Sequence, residues 1–226
     1  MRYRYLVGLV SILFVLTNCS SSNKQDPMLN VISTLRTVVK ERNNPTPIVD
    51  PTKVITREML DASSQPLILI RVPTRQIIAT LGLFPGETLG AVWLGADGSS
   101  ISTDNGILRA TRGMSYDLVS ADTGPTQKAL STVKAGQVFA YERSYKYIVE
   151  DNRDLIVTVQ CELNVVKSTS VEIFKRDYPV MEYVEACNND MLSYENRYWR
   201  EFSGKMRKSL QWQGTDIGYI MIETLI

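Results

Sequence analysis

Histidine is absent from the 226 residues of this chain. Its absence excludes Ser-His-Asp and Cys-His catalysis, imidazole ligands for a metal ion and a histidine pH switch. A charge excess is missing too, because 25 Lys and Arg residues stand against 24 Asp and Glu residues. No strong field therefore favours binding to nucleic acid or to an anionic membrane surface. An enzyme made from this sequence would have only carboxylates, Lys, Tyr, Ser and Cys for its chemistry.

Motifs for cofactors and common nucleophiles are also missing. The sequence holds no glycine-rich dinucleotide or phosphate loop, no Gly-x-Ser-x-Gly and no calcium-binding loop. A zinc site would need more soft ligands than the few cysteines supply. We therefore expect no cofactor and no metal. Asp97, Asp104, Asp117 and Asp122 leave open a carboxylate pair for glycoside chemistry, although Asp is also the usual residue in turns such as these.

A short apolar run near the N-terminus predicts export. Arg2 and Arg4 precede residues 5–16, which are almost wholly apolar but too few to cross a bilayer. Basic residues followed by such a run are typical of an export signal. The run ends in Leu-Thr-Asn-Cys, which resembles a bacterial lipobox with Cys19 as the lipidated residue, although Asn18 stands where a small residue is usual. The alternative is cleavage by the ordinary signal peptidase, with Cys19 incidental.

The chain therefore divides into a signal peptide (1–18), a lipidated Cys19 with a polar tether (19–27), and one periplasmic domain (28–226). Ser20, rather than Asp, follows the cysteine, which favours sorting to the outer membrane. Cys161 and Cys187 remain in the exported body. Because an exported protein meets an oxidising compartment, this even pair predicts a disulfide, with two buried free thiols as the alternative.

The hydrophobic pattern of the domain predicts a mainly β fold with a short helical region at its N-terminus. Apolar residues at helical spacing predict a helix from Met28 to Val39, and a second short helix is expected over Thr56–Ser63 with Thr56 as its cap. From Pro66 onward, short runs rich in Val, Ile, Thr and Tyr alternate with turn signals such as Thr123-Gly124-Pro125 and Ser203-Gly204. This alternation favours an antiparallel β-sandwich or open barrel. The predicted strands are 67–72, 76–84, 91–94, 107–111, 137–150, 154–164, 170–174, 180–184, 197–202, 205–212 and 219–226.

Tyrosines alternate along the predicted strand 137–150. Tyr141, Tyr145 and Tyr147 lie at positions that share one face, with Arg143 between them. Such a stripe is more typical of a half-buried sheet face than of a binding platform.

Three tryptophans and several basic residues form the candidate binding surface. Trp93, Trp199 and Trp212 could stack on sugar rings, with packing in the core as the alternative. The arginines crowd the last hairpins and could pair with an acidic polysaccharide or with an acidic patch on a partner, while solvated charge that protects a sheet edge is the alternative. The nominated residues are Trp93, Trp199, Trp212, Arg197, Arg200 and Arg207.

Strand alternation limits how these basic residues act together. It predicts that Lys205 and Arg207 share one face, while Met206 and Lys208 share the other. Because exposed charges contribute little to stability, reversing the charge of Arg200 and Arg207 is expected to leave the domain folded.

Two stretches of the sequence resemble a known family. One is WLGADGSSISTDNGILRATRGMSYDLVSAD (93–122), and the other is ENRYWREFSGKMRKSLQW (195–212), preceded by EYVEAC (182–187). With the lipobox and the helical start, they resemble the YjbF/GfcB family of outer-membrane lipoproteins, which is linked to exopolysaccharide and group 4 capsule production. The positions that carry the second match are Asn196, Tyr198, Trp199, Lys208, Ser209, Gln211 and Trp212.

The resemblance implies an all-β periplasmic domain attached to the outer membrane by its lipid. It also implies partners, because such genes lie beside those for an outer-membrane β-barrel protein and a small periplasmic protein of a polysaccharide secretion operon. It implies no enzymatic activity. We therefore expect a non-catalytic accessory of exopolysaccharide or capsule production that binds polysaccharide or an export component. The alternative is a polysaccharide-modifying enzyme that uses carboxylates or tyrosine.

Overall fold

The computed structural model describes residues 50–86, 90–149 and 153–226. The predicted signal peptide, Cys19, the tether and the helix over 28–39 lie outside the described residues. Two 3-10 turns occupy Pro51–Lys53 and Pro73–Arg75, and two α-helices are described, α1 (Arg57–Ala62) and α2 (Gly124–Thr132). The predicted cap of α1 is confirmed, because the Oγ1 atom of Thr56 accepts a hydrogen bond from the backbone N–H of Met59.

Twelve antiparallel strands form one sheet in the described part of the chain. The strand order is β5-β4-β3-β2-β1-β12-β11-β10-β9-β8-β7-β6, and the sheet curls until β5 and β6 meet as a nearly closed barrel. The expected mainly β, antiparallel fold is therefore confirmed. The strands are β1 (Leu67–Val72), β2 (Ile77–Phe84), β3 (Ala91–Leu94), β4 (Ser100–Asp104), β5 (Ile107–Arg112), β6 (Leu118–Ala121), β7 (Val138–Val149), β8 (Arg153–Ile173), β9 (Arg176–Asn188), β10 (Ser193–Arg200), β11 (Met206–Gly214) and β12 (Gly218–Thr224).

Side chains close the seam between β5 and β6. The backbone N–H of Leu118 donates to the Oγ1 atom of Thr111 at 2.9 Å. The guanidinium of Arg112 donates to the carbonyl oxygens of Leu118 and Val119 at 3.0 and 3.2 Å. These bonds satisfy backbone groups that an open sheet edge would leave unpaired.

The barrel has two different ends. Because all neighbouring strands are antiparallel, the connections after odd-numbered strands lie at one end, which we call the turn end. Both helices belong to the other end, which we call the helix end. There Ala129 and Leu130 of α2 are buried against Leu163 and Tyr198, so α2 covers the interior of the barrel at the helix end.

β1 shows why its sequence is apolar throughout. Ile68 and Ile70 face the interior of the barrel, whereas Leu67 and Leu69 face a second cluster that Leu60 of α1 covers. A strand buried on both faces reads as a continuous hydrophobic run, and the predicted bounds 67–72 match the structure.

Other predicted elements were wrong in part. The runs 154–164 and 170–174 belong to one strand, β8, whose exposed residues between them broke the apolar pattern. β4 and β6 were missed because they are short and partly polar. The sequence Thr123-Gly124-Pro125 was predicted as a turn but begins α2, because proline fits the first turn of a helix, where its missing N–H costs nothing.

Candidate functional site

A salt bridge lies in the interior of the barrel. Arg143 of β7 and Glu185 of β9 pair at 2.9 Å, and their side chains are 1% and 0% exposed. Both side chains point inward because of the alternation that places Tyr141 and Tyr145 on the same face of β7. The expected half-buried tyrosine face is thus part of the interior.

Glu185 accepts hydrogen bonds from four further side chains. Its carboxylate accepts from the hydroxyl groups of Tyr141, Tyr198 (2.6 Å) and Thr126 (3.0 Å), and from the amide of Asn196 (2.6 Å). We call this group, together with Arg143, the buried polar cluster. Because Thr126 belongs to α2, the cluster also binds the covering helix to the barrel wall.

The cluster keeps Glu185 ionised. Burial opposes the charged form, but the charge of Arg143 and the hydrogen bonds outweigh it, so the pKa of Glu185 lies below its ordinary value. The carboxylate is fully buried, four of its five donors (Thr126, Arg143, Asn196 and Tyr198) are at most 2% exposed, and Tyr141 is half-buried. The cluster is therefore placed to hold the fold together, and a substrate has no route to it without opening the barrel.

We expect the protein to unfold over a narrow pH range in alkaline solution because of its buried tyrosines. Burial raises the pKa of Tyr145 to about 12 and raises the pKa values of Tyr141, Tyr147, Tyr194 and Tyr198 above their ordinary 10. The tyrosines of the unfolded chain ionise at a lower pH than these buried ones. The stabilisation that the buried, neutral tyrosines contribute is therefore complete below pH 10 and is lost as the pH rises through their pKa values in the folded protein. Tyrosinate absorbance should therefore show these five ionising only together with loss of the β circular dichroism signal. Gradual ionisation of all 11 tyrosines in a folded protein would contradict this.

The disulfide predicted from the cysteine count is present in the structure. The Sγ atoms of Cys161 and Cys187 are bonded at 2.02 Å, and the two residues lie directly opposite each other on β8 and β9. Both are buried in the interior cluster. The disulfide therefore joins two neighbouring strands of the barrel wall.

A pocket of about 430 Å³ opens at the turn end of the barrel. Its aromatic wall consists of Tyr116, Tyr147 and Trp212, and its polar residues include Asp117 and Asp216. The mouth of a β-barrel is a common place for ligand binding. We call this cavity the turn-end pocket.

The aromatic wall of the turn-end pocket is held in place from behind. The ring of Trp212 stacks on Tyr194 at 5.6 Å and meets Tyr219 edge-on at 5.3 Å. The hydroxyl of Tyr147 donates to the carbonyl oxygen of Gln213 at 2.7 Å. In contrast, Tyr116 is 55% exposed. A rigid wall and an accessible ring form a preorganised binding surface.

The three nominated tryptophans lie in three different environments. Trp212 lines the turn-end pocket, whereas Trp199 packs against the outer cluster beneath α1. Trp93 packs against the interior cluster, and its Nε1–H donates to the Oγ1 atom of Thr103 at 2.9 Å. The structure therefore does not bring them together as one surface.

The nominated arginines are paired within the protein. Arg197 contacts the carboxylates of Glu182 and Glu195. Arg200 donates to the carbonyl oxygens of Gly204 and Leu130, both at 2.9 Å. Arg207 pairs with Glu201 at 2.6 Å and lies over the ring of Tyr178. The premise that Arg200 and Arg207 are exposed charges is wrong, and reversing both would break contacts that hold the hairpins.

The predicted alternation along β11 is also wrong at its start. The register shifts between β10 and β11 at Trp199 and Arg200, so one residue of β11 is extra. As a result Met206 points into the interior, while Arg207 and Lys208 both contact outer aromatic rings. The alternation of apolar and polar residues along the sequence does not reveal a bulge of this kind.

The four aspartates proposed as a carboxylate pair have local roles. Asp97 accepts hydrogen bonds from Ser99, and Asp122 accepts one from the N–H of Gly124. The carboxylate of Asp104 accepts from the hydroxyl of Thr123. Asp117 also closes a turn, but unlike the other three it lines the turn-end pocket.

The comparisons with known proteins decide the family. The sequence model described as "Group 4 capsule polysaccharide lipoprotein gfcB, YjbF" matches residues 32–225. This chain belongs to the YjbF/GfcB family. Its membership makes it an envelope-associated lipoprotein of capsule polysaccharide production.

A solved structure supports the fold of this YjbF/GfcB member. The crystal structure of the hypothetical lipoprotein YmcC from Escherichia coli (K12) superposes with a TM-score of 0.68 at 17% identity, and the match covers 86% of this chain and 95% of that chain. At this identity the similarity shows the fold alone. The search of curated proteins gave no match. Neither described helix has the length and apolar character needed to cross a membrane.

The YjbF/GfcB motifs now acquire structural roles. Asn196 and Tyr198 both donate to Glu185, and the side chain of Gln211 bonds the N–H of Leu108 and the carbonyl oxygen of Gly106. These motif residues thus maintain the interior of the barrel.

Four residues of these sites, Thr126, Glu185, Tyr116 and Asp216, were not singled out from the sequence. Glu185 is two positions before Cys187, so period-two alternation places it on the same face as the predicted disulfide, and that signal could have revealed it. Tyr116 and Asp216 carry no such signal, because loops that are distant in sequence bring them into the turn-end pocket.

Proposed function

We propose that this protein is a non-catalytic accessory in exopolysaccharide or capsule production, and that it binds polysaccharide or an export component at the turn-end pocket. The observation that carries the proposal is the aromatic wall of the pocket, where Trp212 is fixed by Tyr194 and Tyr219 while Tyr116 remains accessible. Aromatic faces of this kind bind the apolar faces of sugar rings and of protein side chains.

The proposed location is the periplasmic face of the outer membrane, with Cys19 as the lipidated residue. More than one acyl chain on the cysteine would anchor the domain stably. Since α1 belongs to the helix end, the chain enters the barrel away from the turn-end pocket. The pocket is then free for a polysaccharide strand or for an outer-membrane β-barrel or periplasmic protein of the same secretion operon.

Deletion of the gene is expected to reduce surface or secreted polysaccharide without changing its sugar composition, because an accessory affects delivery and not chemistry. Complementation with Tyr116→Ala should fail to restore output. The matched control is Phe202→Ala, since Phe202 is 74% exposed but lies in the β10–β11 turn at the helix end. Output should be measured by quantifying polysaccharide in strains with equal protein levels. Full output with Tyr116→Ala would discard the pocket as the binding site.

The alternative, a polysaccharide-modifying enzyme, has one observation in its favour. Asp117 and Asp216 both line the turn-end pocket. However, the carboxylate of Asp117 already accepts hydrogen bonds from the hydroxyl of Thr111 and from the N–H groups of Gly113 and Met114. A carboxylate so engaged in a turn is a poor candidate for general acid or base. Altered sugar composition in the deletion strain would favour this alternative.

A further inference from the structure

We infer that the turn-end pocket takes an uncharged sugar residue of the polysaccharide and discriminates against a carboxylate-bearing one. This inference rests on the proposed function, because it specifies the ligand of the same pocket. It also reverses the expectation from the sequence, which placed an acidic polysaccharide against the arginines.

The residues that line the turn-end pocket give it a negative charge. Among the described residues that line it, Asp117 and Asp216 are acidic and none is Lys or Arg. A uronate entering the pocket would therefore approach two carboxylates with no lining cation to compensate. Like-charge approach in a partly enclosed site disfavours binding.

Two cations on the neighbouring strands, Arg112 and Lys146, are already engaged, and the exposed Arg153 of β8 is not among the lining residues. The guanidinium of Arg112, at the end of β5, is held by the carbonyl oxygens of Leu118 and Val119 across the barrel seam. Lys146 of β7 pairs with Asp154 of β8 at 2.6 Å. Moving either side chain to an anionic ligand would break one of these contacts. The basic residues nominated from the sequence are paired elsewhere, so they do not supply the missing charge.

The remaining lining suits a neutral pyranose. Its C–H face can stack on the accessible ring of Tyr116 or against Trp212, while its hydroxyl groups can donate to the exposed carboxylate of Asp216. Hydrogen bonds from hydroxyl groups to an ionised carboxylate are stronger than those between neutral groups. A lipid tail suits the pocket less well, because it would desolvate the exposed carboxylate of Asp216 without offering it a donor.

The test uses the full-length lipoprotein in lipid nanodiscs and short oligosaccharides from the polysaccharide secreted by its own strain. Calorimetric titration compares these oligosaccharides before and after carbodiimide-mediated reduction of their carboxyl groups, which turns uronates into neutral sugars. We expect the reduced form to bind about tenfold more tightly, and Tyr116→Ala to weaken its binding by about tenfold. Phe202→Ala should bind like the wild type. Asp216→Asn should reduce the difference in affinity between the acidic and the reduced oligosaccharides.

The outcomes separate this inference from the proposed function. The neutral-sugar inference is wrong if the acidic oligosaccharides bind as tightly as the reduced ones or more tightly. It is also wrong if Asp216→Asn leaves the difference in affinity between the two forms unchanged. In either case, glycan binding at the pocket remains supported as long as Tyr116→Ala weakens binding. If Tyr116→Ala leaves the affinity for the oligosaccharides unchanged, the turn-end pocket is not the binding site. If neither form binds, the sugar ligand is wrong, while the deletion phenotype decides separately whether the protein is an export accessory. A polysaccharide that proves free of uronates and binds through Tyr116 supports the inference directly.

Discussion

Replacing Arg143 with alanine is expected to lower the free energy of unfolding by about 3–5 kcal/mol. The substitution leaves the Glu185 carboxylate fully buried without its counter-ion, and neighbouring hydroxyl and amide donors cannot replace a full charge. Urea denaturation followed by circular dichroism measures the change. The expected loss is large relative to the typical stability of a domain, so reduced expression is part of the prediction.

The matched control is Arg197→Ala. Arg197 also pairs with glutamates, but its side chain is 41% exposed, so the loss should stay below about 1 kcal/mol. The pH dependence gives a second check. In Arg143→Ala the deficit should shrink as the pH falls, because a protonated Glu185 is no longer a buried charge. Equal losses in the two variants, or a deficit independent of pH, would show that the buried polar cluster does not depend on this ion pair.

Removing the disulfide by replacing Cys161 and Cys187 with alanine is expected to cost about 3.5 kcal/mol in the chain-entropy model. The bond limits the unfolded chain between residues 26 positions apart, and both cysteines are buried against the interior of the barrel. Urea denaturation of the double variant measures the loss. Denatured, unreduced wild type should show neither thiol to a labelling reagent.

Two observations would argue against this second prediction. Labelling of both cysteines in unreduced protein would mean that the pair is a reduced thiol pair. A double variant as stable as the oxidised wild type would mean that the bond does not limit the unfolded chain, as when the β8–β9 hairpin persists in the denatured state.

The sequence alone identified the elements whose signals are local. The apolar run of β1, the cap of α1 and the turn at Ser203-Gly204 all depend on residues within a few positions of one another. The even cysteine pair predicted the disulfide from composition and compartment. Family motifs marked Asn196, Tyr198 and Gln211, but a motif by itself does not say whether a residue binds a ligand or packs inside.

Only the tertiary structure decided what those residues do. Arg143 and Glu185 are separated by 42 positions, and their burial as a pair requires the sheet to curl into a barrel that α2 covers. The bulge at the start of β11 decides which side chains face outward, so pattern-based alternation fails there. The turn-end pocket is assembled from the loops after β5, β9 and β11 and from the neighbouring ends of β7 and β8, which antiparallel topology brings to one end. Period-two alternation records which face of a strand is apolar, but closure of the barrel determines which distant strands that face meets.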